Sequence, residues 1–157
     1  MGDALAICLM NLRNFTAEDF AKYHPGGSLG KKLLLRVKDM LDTTHKPIVG
    51  PNSSIKEVIF EISAKRLGVT AVVENEKVIG IITDGDIRRM LNGNDTFTHL
   101  TAKDIMTKKP KMIQSTTMVA EALNILEDFS ITQLVVVDNG EYKGVIHLHD
   151  ILKEGIV

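Results

Sequence analysis

The chain repeats itself. Residues 54–87, SIKEVIFEISAKRLGVTAVVENEKVIGIITDGDI, align without a gap on residues 118–151, MVAEALNILEDFSITQLVVVDNGEYKGVIHLHDI, at an offset of 64. Gly80 then falls on Gly144 and Asp86 on Asp150, while Ala71-Val72-Val73-Glu74 falls on Val135-Val136-Val137-Asp138. A similar lead-in announces each copy, VKDML at 37–41 and AKDIM at 102–106. Self-similarity at a fixed period marks a duplicated supersecondary unit. One unit of about 60 residues buries little surface alone. Two copies packed about a pseudo-twofold axis can share a core, which is a physical reason for the duplication.

Hydrophobic spacing sets the elements within each copy. An extended pair comes first, Ile48-Val49 or Met112-Ile113. A helix follows, with Ile55, Val58, Ile59 and Ile62 at helical spacing, echoed by Val119, Ala122, Leu123 and Leu126. A β-rich run (69–73 or 134–137) leads to a tight polar turn, Asn75-Glu76 or Asn139-Gly140, and so to a hairpin. The second strand covers 78–83 or 143–148, and a short helix closes each copy at 87–91 or 151–153. The expected fold is α/β of the α+β kind: two β-α-β-β-α units as a pseudo-twofold pair, preceded by a short helical segment.

Composition excludes more than it selects. The 157 residues are 44% hydrophobic and 25% charged, with a formal net charge of −1. That balance leaves no whole-chain electrostatic footprint for nucleic acid. The short basic run GKKLLLRVK reads as a solvated helix face. Cys8 is the single cysteine, so neither a disulfide framework nor a cysteine metal cage is possible, and a cytoplasmic location is expected. No apolar run approaches a membrane span. MGDALAICLMNL carries Asp3 and lacks a basic start and a cleavage site, so it is not read as a signal peptide.

HPGGSLGKK, residues 24–32, has the look of a phosphate loop but not its spacing. Gly26 lies one position too close to Gly30, Lys32 stands where a Ser or Thr must hold magnesium, and no strand precedes the loop. FTAEDFAKY before it reads as a short helix capped by Thr16, with Asp19 at the capping-box position. Pro25 and the glycines then end that helix.

GIITDGDIR (80–88) and KDIMT (103–107) carry a resemblance. The two copies resemble a tandem pair of CBS domains over roughly residues 36–157. The family's closing motif, Gly-x-x-Thr-x-x-Asp, is matched in full by Gly80, Thr83 and Asp86. Gly144, His147 and Asp150 match it with His in place of Thr. Upstream, GDALAICLMNLRNFTAEDFAKYHPGGSLGKKLL looks like the C-terminal end of a sugar-isomerase (SIS) domain. This order resembles the arabinose 5-phosphate isomerases of Gram-negative bacteria. The implied organisation is an isomerase tail and linker (1–35), a first CBS copy (36–97) and a second (98–157).

The resemblance implies a regulatory, nucleotide-sensing pair within an enzyme that interconverts ribulose 5-phosphate and arabinose 5-phosphate for Kdo and lipopolysaccharide or capsule synthesis. The chain would be a non-catalytic fragment, with His24 a remnant of the isomerase site. No cofactor is required, and the regulatory ligand would be an adenine or cytidine nucleotide. The expected ligand-binding residues are Ile48, Val49, Thr83, Asp86, His147 and Asp150. Ile48 and Val49 would cover a base, Asp86 would accept a ribose diol, and Thr83 would offer its hydroxyl. Asp84 or Asp86 equally fits a helix cap. The first copy is expected to hold the better hydroxyl-reading site, the second to respond to pH through His147. His147 and His149 on one strand would share a face, but two imidazoles and one acid fall short of a metal site, and none is expected. The partners implied are the chain itself, as a homodimer through its CBS pairs within a tetrameric parent, with no nucleic acid and no membrane. Two other readings stand: a purely structural oligomerisation module, and a free-standing CBS regulator acting on a partner in trans.

Overall fold

The structure is a computed structural model that describes residues 2–16, 19, 22–23, 27–93 and 97–156. Helix α1 (Gly2–Leu12) buries none of its residues, and α2 (Ser28–Leu34) follows. Thr16 and Asp19 form the expected capping pair, the Asp19 N–H reaching Thr16 Oγ1 at 3.1 Å. The rest of the helix expected over 15–23, and His24 with Pro25 and Gly26, lie largely outside the described residues.

The first copy contains β1 (Ile48–Val49), α3 (Ile55–Lys65), β2 (Val69–Glu74), β3 (Lys77–Thr83) and α4 (Asp84–Gly93). After the lead-in helix α5 (Ala102–Ile105) and β4 (Thr107–Lys108), the second contains β5 (Met112–Ile113), α6 (Val119–Asp128), β6 (Gln133–Asp138), β7 (Glu141–His147) and α7 (Leu148–Lys153). The sheets run β1-β2-β3-β4 and β5-β6-β7. Their registers repeat at the sequence offset. Ile48 pairs Ala71 and Met112 pairs Val135 in parallel, and antiparallel Val72–Gly80 is matched by Val136–Gly144. Both hairpins bulge after the central Val. Asn75, Glu76, Asn139 and Gly140 all take positive φ, as a tight hairpin turn requires.

The lead-ins exchange copies, which the repeat alone does not reveal. Val37 lies in the core of the second copy with Ile113, Val119 and Leu126. Ala102 lies in the core of the first with Val58, Ile62 and Val72. Backbone bonds fix both crossings: the Val37 N–H donates to the Thr117 carbonyl at 2.9 Å, and the Ala102 N–H to the Ser53 carbonyl at 2.9 Å. Each motif glycine sits where the foreign lead-in passes. A methyl on Gly80 would meet Met106, and one on Gly144 would meet Leu41. A third cluster joins the two sheets through Val69, Ala71, Val135, Tyr142 and Val145. The pair is therefore one interlocked body in which neither copy completes its core alone. Ile59 is the exception on the expected helix face, being 37% exposed.

Candidate functional site

The two motif positions meet at the junction of the copies. Thr83 ends β3 and His147 ends β7, and both line a crevice of about 510 Å³. Arg66 enters it from the left-handed end of α3, and Arg88 from α4. Thr132 and Gln133 close the other wall. Two guanidiniums, hydroxyls and an imidazole around one opening suit an anion with several oxygens.

The copies then diverge at their aspartates. Asp86 is 7% exposed. Its Oδ2 accepts from the Thr83 N–H at 2.8 Å and the Thr83 hydroxyl at 2.7 Å. Its Oδ1 accepts from the Thr107 hydroxyl at 3.2 Å and from Arg89. The Thr83 hydroxyl in turn accepts from the Asp86 N–H at 3.3 Å. This is a helix cap, so of the roles left open for the first-copy acids, Asp86 fills the capping one. Burial works to raise its carboxyl, but the Thr83 hydroxyl and N–H and then Arg89 outweigh it, and the group lies below the ordinary carboxylate value.

Asp150 holds the matching place and is far more open, its side chain 43% exposed and paired, among the described residues, with Lys153 at 3.3 Å. It lines a second cavity of about 300 Å³ with Met40, Asp42, His45, Pro47 and Leu67. Leu67 lines the central crevice as well, so the two spaces share one wall residue. The asymmetry has a cause in the lead-ins. The residue after KDIM is Thr107, a donor that closes onto Asp86. The residue after KDML is Asp42, a carboxylate with nothing to donate to Asp150. Asp42 instead accepts from the Thr44 hydroxyl at 2.7 Å and pairs with His45 at 3.1 Å. The Thr44 hydroxyl and N–H, with His45, hold its carboxyl well below the usual range.

His147 replaces the capping threonine with a ring. Its Nδ1 accepts from the His149 N–H at 3.0 Å. His149 belongs to α7 and not to the strand, and the two rings stack at 5.0 Å with 9° between their planes. Burial first, and then His149, lower the His147 pKa below the ordinary imidazole value.

The expected site residues are thus divided. Thr83 and His147 share the crevice, and Asp150 lies beside it in the second cavity. Asp86 is turned into its cap. Ile48 and Val49, expected to cover a base there, are placed elsewhere. Val49 is in the first core, and both line a groove of about 440 Å³ with Lys56 and Phe60. The parallel pairing of β1 with β2 puts a whole strand between them and Thr83. His24 lies outside the described residues. Arg66, Arg88, Asp42 and Thr107 were missed. The contrast between Asp42 and Thr107 was visible in the sequence, as the first residue after each lead-in.

Fold, repeat and paired motifs define a CBS-domain pair. The family model described as the CBS domain matches residues 37–93 and again 102–156, and the chain belongs to that family. Among solved structures, it resembles the CBS domain protein PAE2072 from Pyrobaculum aerophilum, complexed with AMP, at a TM-score of 0.68 and 21% identity, covering 78% of this chain and 100% of that one. The CBS domain pair of protein MJ0100, in complex with 5′-methylthioadenosine and S-adenosyl-L-methionine, gives a TM-score of 0.68 at 25% identity over 75% of this chain and 93% of that one. Over its whole length the chain is 42% identical to the arabinose 5-phosphate isomerase KdsD of Yersinia pestis and covers 48% of it. It thus spans about half the length of the curated relatives it matches.

Proposed function

We propose that this chain is the ligand-sensing CBS pair of an arabinose 5-phosphate isomerase, and that its ligand is an adenosine-type nucleotide bound across the second cavity and the central crevice. The observation that carries this is the exposed Asp150 carboxylate in a cavity that shares Leu67 as a wall residue with a crevice holding two arginines. Asp150 accepts the ribose hydroxyls, because an ionised carboxylate offers only acceptors. Pro47, Met40 and Leu67 cover the base in the role first given to Ile48 and Val49. Arg66 and Arg88 take the phosphate. Asp86 serves the first site less well, since a ligand must first displace Thr107 and Arg89. The ranking by motif completeness is thereby reversed.

The adenosine moiety is supported by the ligands of the MJ0100 pair. The isomerase context is supported by the 42% identity to KdsD over the full chain. In that context His24 belongs to the isomerase site, the pair itself is non-catalytic, and the pathway is cytoplasmic Kdo and lipopolysaccharide or capsule synthesis. Assembly with further copies or with the isomerase part is favoured by α1, which exposes Leu5, Ile7 and Leu12 at 65%, 59% and 80%.

Calorimetry with AMP, ATP and CMP tests the ligand. An adenine nucleotide is expected to bind the wild-type chain and the Asp86→Ala variant, and to lose at least tenfold in affinity with Asp150→Ala. Binding that survives Asp150→Ala and vanishes with Asp86→Ala overturns the assignment of the cavity. No binding by any of the three leaves the assembly reading in its place.

A further inference from the structure

We propose that His147 is a proton-coupled latch for anionic ligands in the central crevice: neutral, it caps α7, and protonated, it gives up the cap and pairs with the anion. This rests on the crevice being the ligand site, and names how that site is regulated and which ligands it selects.

The two motif positions cap their helices by different chemistry. The Thr83 hydroxyl accepts the Asp86 N–H and at the same time donates to the Asp86 carboxylate. Its capping role does not change near neutral pH, because a hydroxyl does not titrate there. His147 has one contact of this kind, its Nδ1 accepting the His149 N–H at 3.0 Å. A ring nitrogen that accepts an N–H carries no proton, so the imidazole is neutral and its proton is on Nε2. Protonating Nδ1 sets one N–H against another, and the cap must open.

The neighbours decide when that happens. On its own segment His147 faces the stacked His149, Asp150 and Lys153. Across the crevice stand Arg66 at the end of α3, and Asp84 and Arg88 on α4. Asp150 favours the proton, and burial, a charged His149 and Lys153 oppose it. A phosphate or sulfate drawn into the crevice by Arg66 and Arg88 places a negative charge beside the ring and adds a partner for the imidazolium, so the balance turns toward the charged form. Ligand binding and proton uptake are then linked. Lower pH strengthens binding of anions, and a neutral nucleoside draws no benefit. Threonine in the first copy has no such dependence.

Three measurements test this. In the ligand-free protein, imidazole ¹⁵N shifts are expected to show Nδ1 bare and Nε2 protonated, with titration below about 6.5, the ordinary histidine value. A protonated Nδ1 at pH 7.5 overturns the proposal. Added sodium sulfate, which does not itself titrate in this range, is expected to raise the His147 pKa; an unmoved pKa at saturating sulfate also overturns it. Calorimetry of AMP in two buffers of different ionisation enthalpy is then expected to show, at pH 6.5, more proton uptake (or less release) by the wild type than by His147→Thr, and the ratio of their affinities is expected to rise by up to about tenfold per pH unit in favour of the wild type as pH falls. The titration of the AMP phosphate is common to both proteins and cancels in the comparison. Equal uptake by both proteins refutes the latch while leaving the nucleotide site standing. Failure of any nucleotide to bind refutes that site instead, and the latch is then decided by the sulfate titration.

Discussion

Alanine at position 80 places a methyl where the second lead-in crosses the first copy. Built on the backbone, that methyl lies 2.6 Å from Met106 Sδ, 2.9 Å from Met106 Cγ and 3.0 Å from the Thr107 carbonyl oxygen. The methionine side chain can swing aside. The carbonyl cannot, because it belongs to β4, which pairs with β3 at Gly80–Lys108 and Ile81–Thr107. Overpacking of this kind costs about 1–3 kcal/mol, and the backbone contact puts Gly80→Ala in the upper half, about 2–3 kcal/mol. For a chain of this size each kcal/mol lowers Tm by about 2–4 °C, so a fall of roughly 5–10 °C is expected. Urea unfolding of wild type, Gly80→Ala, Met106→Ala and the double variant gives the cycle. Shortening Met106 removes two of the three close contacts. The double variant should therefore be at least about 1 kcal/mol more stable than the sum of the single losses, as expected for residues in direct contact. Gly93→Ala is the control, since a methyl at that position has nothing within 4 Å among the described residues, and it should be neutral or slightly stabilising. A Gly80→Ala loss below about 0.5 kcal/mol, within the usual scatter of surface changes, or an additive cycle, would refute the crossing as the reason for the glycine.

Three other outcomes follow from single contacts. Thr70 is fully buried and its hydroxyl lacks a hydrogen-bond partner among the described residues; Thr70→Val should raise stability by about 1 kcal/mol in urea unfolding, since it removes an unsatisfied polar group at nearly constant shape. Tyr142 is 4% exposed and donates to the Pro47 carbonyl at 2.9 Å. Tyr142→Phe should cost about 1 kcal/mol and no more, because that carbonyl keeps the Ala71 N–H at 3.2 Å. Asp86 has a folded pKa below its unfolded value, so its contribution is present above about pH 3.9 and is lost as pH falls through the lower folded value. A wild-type chain should thus lose stability on acidification that Asp86→Asn does not lose, and identical pH profiles below pH 5 would remove Asp86 from the account.

The repeat made most of the fold legible, because both copies spell the same pattern twice. Val119, Ala122, Leu123 and Leu126 are all buried as their spacing requires, and both hairpin turns fall at the polar dipeptides. What the pattern could not show was which copy each lead-in serves. VKDML and AKDIM read identically whether they pack at home or across the axis, since Val37 and Ala102 are apolar in either place. The site was legible in part. The motif found Thr83, Asp86, His147 and Asp150, but not whether each faces a ligand or its own helix. A T-x-x-D spacing is at once a ligand motif and a capping box, and the partner that decides between them, Thr107, lies 21 residues beyond Asp86. Arg66 and Arg88 carry no local signal; only the packing of the copies brings the end of α3 and the face of α4 to one crevice.

The unequal clefts follow from the lead-in exchange together with one change of residue. Because each lead-in crosses to the other copy, the aspartate closing one repeat meets a residue encoded beside the other. In the first copy that residue is Thr107, which can donate, and the carboxylate of Asp86 gains a fourth contact and is withdrawn from solvent. In the second it is Asp42, which has no proton to donate and accepts from the Thr44 hydroxyl and pairs with His45. Asp150 lines the same cavity and pairs with Lys153. The second cleft thus lacks the donor that closes the first and keeps a cavity beside its aspartate. The same copy replaces the capping threonine with His147, so the helix beside that cavity is held by one neutral ring nitrogen in place of a hydroxyl and a buried carboxylate. The more complete motif consequently yields the more tightly closed cleft, and the departures from it lie beside the second cavity.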